Sequence, residues 1–377
     1  MIRNCRSLLF VAVVLLLSAA CAPPLPPPEL PAGVDLRVLG RSPGAMLLRW
    51  SPDGRLLAVA GKGLDIYEPA GSMRRHLLDE QVSAIAWTSD SRTLLVAVGT
   101  AMSSRLETWS RDGRKLSGRD LDGYAADLLR TKNGLLLIEG RMQNYRFGSN
   151  LRVVLKELSD REEGPSRVLY ENTLPPDTAA WLAQHPRALS GAVLNPTGDM
   201  LAYFQFRDPP AFPPAQQLMV RHLPSRRQWS VAELSPPAGS PAFTPDGERL
   251  LVVDGKGRLL SLDIWDGQAE PVPNGPGRAV AVARFGNASL LAGRLAVAGE
   301  TTGVAVKVDV AAFDPAGRQL AWLRASQLEV LDLAAGMPPQ GGDGVPTERL
   351  ESLHDWRARG LIDADDYRIQ RQRMMNQ

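Results

Sequence analysis

Cysteine is almost missing from this chain: only Cys5 and Cys21 occur in 377 residues. Histidine is nearly as scarce, and His76, His185, His222 and His354 are not spaced as metal-binding pairs; no HExxH or paired-cysteine pattern accompanies them. Zinc chemistry is therefore not expected. A G-x-S-x-G nucleophile elbow and a phosphate-binding P-loop are also missing, and Gly61-Lys62-Gly63 and Gly255-Lys256-Gly257 fall between β-type runs, where they serve as turns. No cofactor is called for and no catalytic constellation emerges. Charge of one sign is lacking too. The formal net charge is +2, so no broad basic face for nucleic acid is implied.

Long apolar runs are confined to the start. Arg3 and Arg6 precede a stretch from Leu8 to Leu17 that is too short for a stable membrane span but suits a secretory signal. Loss of the signal removes Cys5, leaving one mature cysteine and no possible intramolecular disulfide. It also removes Arg3 and Arg6, which balances the remaining basic residues against the 41 acidic ones. The run ends Leu17-Ser18-Ala19-Ala20-Cys21, which resembles the lipobox of bacterial lipoproteins. That resemblance implies cleavage after Ala20, lipidation of Cys21 and, with Ala22 following the cysteine, the outer membrane of a Gram-negative cell, facing the periplasm. Several acyl chains anchor stably where one would not. Residues 21–33 are proline-rich, and a polyproline II segment at about 3.1 Å per residue would hold the body roughly 30 Å from the bilayer.

What the chain has in quantity is turn grammar, with 34 glycines and 30 prolines. Phe243-Thr244-Pro245-Asp246-Gly247-Glu248-Arg249-Leu250-Leu251-Val252-Val253 reads as strand, tight turn, strand. Proline presets φ, aspartate bonds to backbone two residues on, and glycine accepts the left-handed conformation. Related turns recur at Ser51-Pro52-Asp53-Gly54, Ser89-Asp90-Ser91-Arg92, Thr131-Lys132-Asn133-Gly134, Asn195-Pro196-Thr197-Gly198 and Asp314-Pro315-Ala316-Gly317. A later strand repeats as well: Leu64-Asp65-Ile66-Tyr67, Leu106-Glu107-Thr108-Trp109, Leu262-Asp263-Ile264-Trp265 and Leu328-Glu329-Val330-Leu331. Each alternates apolar with polar or acidic positions, as a half-buried strand does.

Residues 34–336 thus resemble a WD40-like or TolB-like β-propeller, with Trp265-Asp266 similar to the WD dipeptide that closes a blade's third strand. The resemblance implies an all-β fold of four-stranded blades around a channel. At about 40 to 45 residues per blade the spacing predicts seven blades, with six or eight as alternatives and one degenerate blade near Gly286-Asn287. Asp35 to Leu39 is a spare strand, expected to pair with the last blade and remove the open edge. The acidic residues of turns and third strands are expected to be structural. Insertions interrupt the repeat at a predicted short helix from Thr178 to His185 and at the proline-rich loop 208–214, making Trp181 and Phe212 candidate interaction residues.

After a linker at 337–346 the periodicity changes. Thr347 starts a helix carrying Leu350, Leu353 and Trp356 that stops at Gly360, and Asp363 starts a second leading into Tyr367. Leu350-Glu351-Ser352-Leu353, Gly360-Leu361-Ile362 and Asp363-Ala364-Asp365-Asp366-Tyr367 resemble the SHOCT family of short C-terminal domains, so 347–377 is expected to form a helical hairpin. Too small for its own core, it must dock or self-associate, with Leu350, Leu353, Trp356 and Tyr367 as candidate contacts. The expected organisation is signal peptide 1–20, tether 21–33, propeller 34–336, linker 337–346 and hairpin 347–377. The function expected is a membrane-anchored, non-enzymatic scaffold for a protein or envelope polymer. A hydrolase or lyase with carboxylates at the channel mouth is the alternative.

Overall fold

The structure, a computed structural model, describes residues 28, 30, 33–71, 73–99, 104–131, 134–145, 148–158, 166–177, 191–207, 215–234, 240–273, 280–283, 288–292, 294–297, 300–301, 306–308, 310–333, 347–360 and 363–375. Cys21, Ala20, Trp181, Phe212, the predicted helix after Asp177, the turn at Gly286-Asn287 and the linker 337–346 lie outside them.

Strand β1 (Asp35–Arg41) comes first. A six-stranded sheet follows in sequential order: β2 (Ala45–Trp50), β3 (Leu57–Glu68), β4 (Met73–Trp87), β5 (Thr93–Gly99), β6 (Ser104–Ser110) and β7 (Lys115–Leu121). Four-stranded antiparallel meanders come next. They are β8 (Tyr124–Arg130) to β11 (Arg167–Leu174) through β9 (Leu135–Tyr145) and β10 (Gly148–Leu158); and β12 (Val193–Leu194) to β15 (Gln228–Leu234) through β13 (Met200–Phe206) and β14 (Gln216–His222). Then come β16 (Ala242–Phe243), β17 (Arg249–Val253), β18 (Leu259–Asp263) and β19 (Ala269–Val272), followed by β20 (Val280–Val282), β21 (Ala288–Leu291), β22 (Arg294–Val297) and β23 (Glu300–Thr301). The last sheet combines β24 (Val310–Phe313), β25 (Gln319–Arg324) and β26 (Gln327–Asp332) with β1, which pairs antiparallel to β26 from Asp35↔Asp332 to Arg41↔Gln327. The spare first strand thus covers the edge that the last unit leaves open.

Six sheets result among the described residues, where the spacing predicted seven blades. The difference lies in β4. Its first part pairs with β3 as far as Gln81, and its second part, from Val82, pairs with β5. Asp79, Glu80 and Gln81 contain no glycine or proline to turn the chain, so the strand runs on and joins two units in one sheet.

The sheets pack in a circuit. The starting strands touch in succession: β2 meets β24, β24 meets β20, β20 meets β16, and β16 meets β12, while β4 meets β8. Between β8 and the segment before β12, the Asp127 carboxylate accepts the Gly191 and Ala192 amides at 3.0 and 3.2 Å. Inner-strand tryptophans add ties: Trp50 Nε1 donates to Ala312 O at 2.9 Å and Trp87 Nε1 to Arg49 O at 3.1 Å.

The core is the set of layers between sheets, and strand alternation divides each strand between two layers. In β13, Leu201 and Tyr203 face the preceding sheet with Ile138, Leu151 and Val153, whereas Met200, Ala202 and Phe204 face the next one with Phe243, Leu250 and Val252. Burial on both faces explains why MLAYFQF contains so little polarity.

The turns have the expected chemistry. At Ser51–Gly54 the serine hydroxyl donates to Asp53 Oδ1 at 2.6 Å, and that oxygen accepts the Arg55 amide at 3.1 Å. Thr88 and Asp90 repeat this device, with Ser91 at φ 59° in the left-handed place usually given to glycine. Thr244 and Asp246 repeat it again, with Gly247 at φ 73°. The third-strand acids are partnered as well. Glu107 receives Arg105, Lys115 and Trp109; Glu329 receives Arg324 and Trp322; Asp65 receives Arg74 and His76.

Candidate functional site

The C-terminal hairpin consists of α1 (Thr347–Ala358) and α2 (Ala364–Met375). Gly360, at φ 72°, ends α1 with its amide on Arg357 O at 2.9 Å. Asp363 caps α2: its Oδ1 accepts the Asp365 and Asp366 amides at 2.9 and 2.8 Å, and those two acids sit in the first turn where the helix dipole favours them.

The hairpin is seated on two consecutive turns of the ring, Asn195–Asp199 and Thr244–Glu248. At its centre is His354, wholly buried. Its Nδ1 lies 3.2 Å from Asp199 Oδ2 and its Nε2 lies 2.9 Å from Glu248 Oε1. Carboxylates only accept, so both ring nitrogens must carry protons and the ring is an imidazolium. Burial alone would push the imidazole down, but the bonds to Asp199 and Glu248 outweigh it and hold it up at about 9. Burial likewise works to raise Asp199; the bonds from His354, Thr197 and Asn195 prevail and keep it below the ordinary carboxylate value.

Glu248 is the hub. Its Oε1 also accepts the Tyr367 hydroxyl, and its Oε2 accepts Trp265 Nε1 at 3.0 Å. Burial and the Glu248 charge push the Tyr367 phenol well above its ordinary value, so it stays a donor. Arg371 reaches Asp246, the turn-forming aspartate. The Arg357 guanidinium lies 4.9 Å from the Trp265 ring centroid and 5.0 Å from that of Tyr367, in range for cation–π attraction. Trp265 stacks on Trp229 at 5.2 Å and 15°. Arg227 Nη1 donates to Ala358 O at the end of α1. A basic and aromatic hairpin thus meets an acidic and aromatic seat, with His354 Cε1 close over the turn at Gly247, 3.5 Å from where a Cβ would stand.

Leu353 and Tyr367 are buried in this arrangement, whereas Trp356 is 45% exposed. The Leu350 side chain lies outside the described residues. His354, Arg357, Arg371, Asp199 and Glu248 were missed by the sequence reading. A signal was present. The residue after the left-handed position of the turn is arginine in three copies, Arg55 after Gly54, Arg92 after Ser91 and Arg318 after Gly317, but Asp199 after Gly198 and Glu248 after Gly247 in two consecutive ones. Among the described residues, no group of three or more His, Cys, Asp or Glu is placed to hold a metal ion, and no helix is long and apolar enough to cross a membrane.

No family model matches the sequence, and no curated protein does. Among solved structures, a chain of a mitotic checkpoint complex is similar with a TM-score of 0.54 at 15% identity, over 83% of this chain and 98% of that one. The fold is a WD40-like β-propeller. The β-propeller domain of Myceliophteria thermophila Cps50 (Swd1) is similar at 14% identity with a TM-score of 0.46, over 79% of this chain and 98% of that one. At such identities the likeness speaks to the fold and not to any site.

Proposed function

We propose that this WD40-like propeller is a non-enzymatic interaction scaffold, exported and held at the outer membrane by a lipid on Cys21, that presents its surface to a protein or cell-envelope polymer. The observation that carries the scaffold reading is the employment of its acids. The third-strand and turn carboxylates that a propeller enzyme would use are engaged with arginine, lysine, tryptophan or backbone amides. A rigid ring with its edge strand closed and its repeated acids engaged is suited to display. The similar chain belongs to a mitotic checkpoint complex, which fits this use of the fold.

The anchor rests on the lipobox-like sequence before Cys21 and on the proline-rich tether that follows it. The hairpin, SHOCT-like in sequence, closes on its own propeller through His354 and Tyr367; among its described side chains Trp356 and Ile369, both about half exposed, are the large apolar ones left for self-association.

Replacing Cys21 with alanine should move the protein from the membrane to the soluble fraction of fractionated cells, and unchanged membrane retention would refute the anchor. Cross-linking in intact envelopes should yield a discrete adduct of reproducible mass. No adduct, together with substrate turnover by the purified protein, would overturn the scaffold.

A further inference from the structure

A cleft that borders the hairpin's seat at Asp199 lies between the sheet of β8 to β11 and that of β12 to β15. Glu157, Arg167, Leu169, Asp199, Arg221 and Arg226 are among the residues that line it. Arg167 and Glu157 are direct cross-strand neighbours on β11 and β10. Arg221 projects from β14, and Arg226 stands in the β14–β15 turn at φ 64°, a backbone conformation that a non-glycine residue holds only when its surroundings fix it. Those surroundings include the Arg226 amide on His222 O at 2.8 Å and Ser225 against His222 Nδ1 at 2.7 Å.

Arg221 is the informative member. It is only 7% exposed, and its Nη1 donates to two neutral acceptors, Leu169 O at 3.3 Å and Gln228 Oε1 at 2.9 Å. No carboxylate among the described residues comes within ion-pairing distance of it. Buried guanidinium groups are ordinarily paired, because an uncompensated charge out of water is costly. Burial above all, with the repulsion of Arg167 and Arg226, holds Arg221 below its usual value against the opposing pull of Tyr203 and, more weakly, Glu157. The other acid of the cleft, Asp199, is already matched by the His354 imidazolium. Three guanidinium groups therefore face one unmatched carboxylate, an excess of two positive charges over a cleft open to solvent.

We propose that this cleft binds a doubly charged oxyanion, of the phosphate or phosphate-monoester class, with Arg226 and Arg167 at its mouth and Arg221 as the buried charge it neutralises. Planar guanidinium forks match the tetrahedral oxygens of such a group. The inference is independent of the membrane anchor and of any macromolecular partner.

The test is calorimetric titration of the purified protein with inorganic phosphate, against chloride at equal ionic strength. Saturable binding is expected at or below about 1 mM, with Arg226→Gln weakening it about tenfold, the loss of one charge-assisted contact. Glu157→Gln should tighten it several-fold, because it removes the one carboxylate that repels the ligand; a gain of affinity cannot come from damaged folding. Glycerol phosphate in a parallel titration separates the sources: tighter binding assigns the site to monoesters, and equal binding assigns it to free phosphate. No saturable heat up to about 20 mM phosphate, or affinity unmoved in both variants, would overturn the proposal.

Discussion

Raising the pH should lift the C-terminal hairpin off the ring, and His354 sets the range in which it happens. Docked, the imidazolium is held up at about 9 by Asp199 and Glu248; undocked, in water, it returns to its ordinary 6.5. A proton that binds more tightly in the docked state stabilises docking. That contribution is complete below about pH 6.5, where the difference between the two values corresponds to about 3 kcal/mol, and it disappears as pH rises through about 9. Between pH 7.5 and 9.5 the loss is about 2 kcal/mol, or roughly a thirtyfold shift toward the open hairpin. The Tyr367 phenol does not imitate this, because burial and the Glu248 charge push it well above that interval. On the acid side Asp199, held low in the docked state, withdraws its support as pH falls through its docked value. Hydrogen exchange of amides in α1 and α2, corrected for the intrinsic rate at each pH, measures the opening equilibrium. The protection of both helices should fall by about thirtyfold between pH 7.5 and 9.5 while the strands of the ring keep theirs, and His354→Gln should abolish the difference. Protection that does not change over this interval, or changes equally in His354→Gln, would refute a protonated latch.

Two further outcomes follow from the same seat. Tyr367→Phe keeps the ring against Trp265 and Arg357 but removes the hydroxyl that donates to Glu248, so docking should weaken by about 1 to 3 kcal/mol without a change in the pH dependence set by His354; hydrogen exchange reads both. Glu248→Arg places a cation against His354 and Arg371 while installing the residue type that Arg55, Arg92 and Arg318 supply in other copies of the turn. The hairpin amides should then exchange at nearly their intrinsic rate while those of β13 and β17 remain protected, and a hairpin still docked would show that Glu248 is not its hub.

Much of the ring was legible because its signals are local. A hydroxyl, an aspartate two places on and a glycine define a corner within five residues, and the nearly unbroken apolar run of β13 or β17 states that both faces are covered. Closure by β1 was readable because a strand without a neighbour in its own repeat needs one elsewhere. The number of sheets was not, since it depended on whether the chain turns or continues between Leu78 and Val82, and there the absence of a breaker mattered more than the repeat spacing. The hairpin's seat was hidden for a different reason. His354 meets Asp199 and Glu248 across 155 and 106 residues of sequence, and its imidazolium character arises only when the three are brought together.

The repeated turn therefore carries two kinds of information in neighbouring positions. Asp246 Oδ1 accepts the Thr244 hydroxyl and the Glu248 amide, which makes the corner, while its Oδ2 faces Arg371 of the hairpin. The corner is common to the repeat, so it cannot by itself say where a hairpin should sit. The next residue can. Arg55, Arg92 and Arg318 would repel a helix that brings His354, Arg357 and Arg371, whereas Asp199 and Glu248 attract it. Because these two acids follow consecutive turns, they flank one imidazole from both sides, which a single acidic exception could not do. The docking position is thus selected by a departure from the repeat at two neighbouring corners, with the conserved geometry of those corners holding the carboxylates at the separation one histidine ring spans.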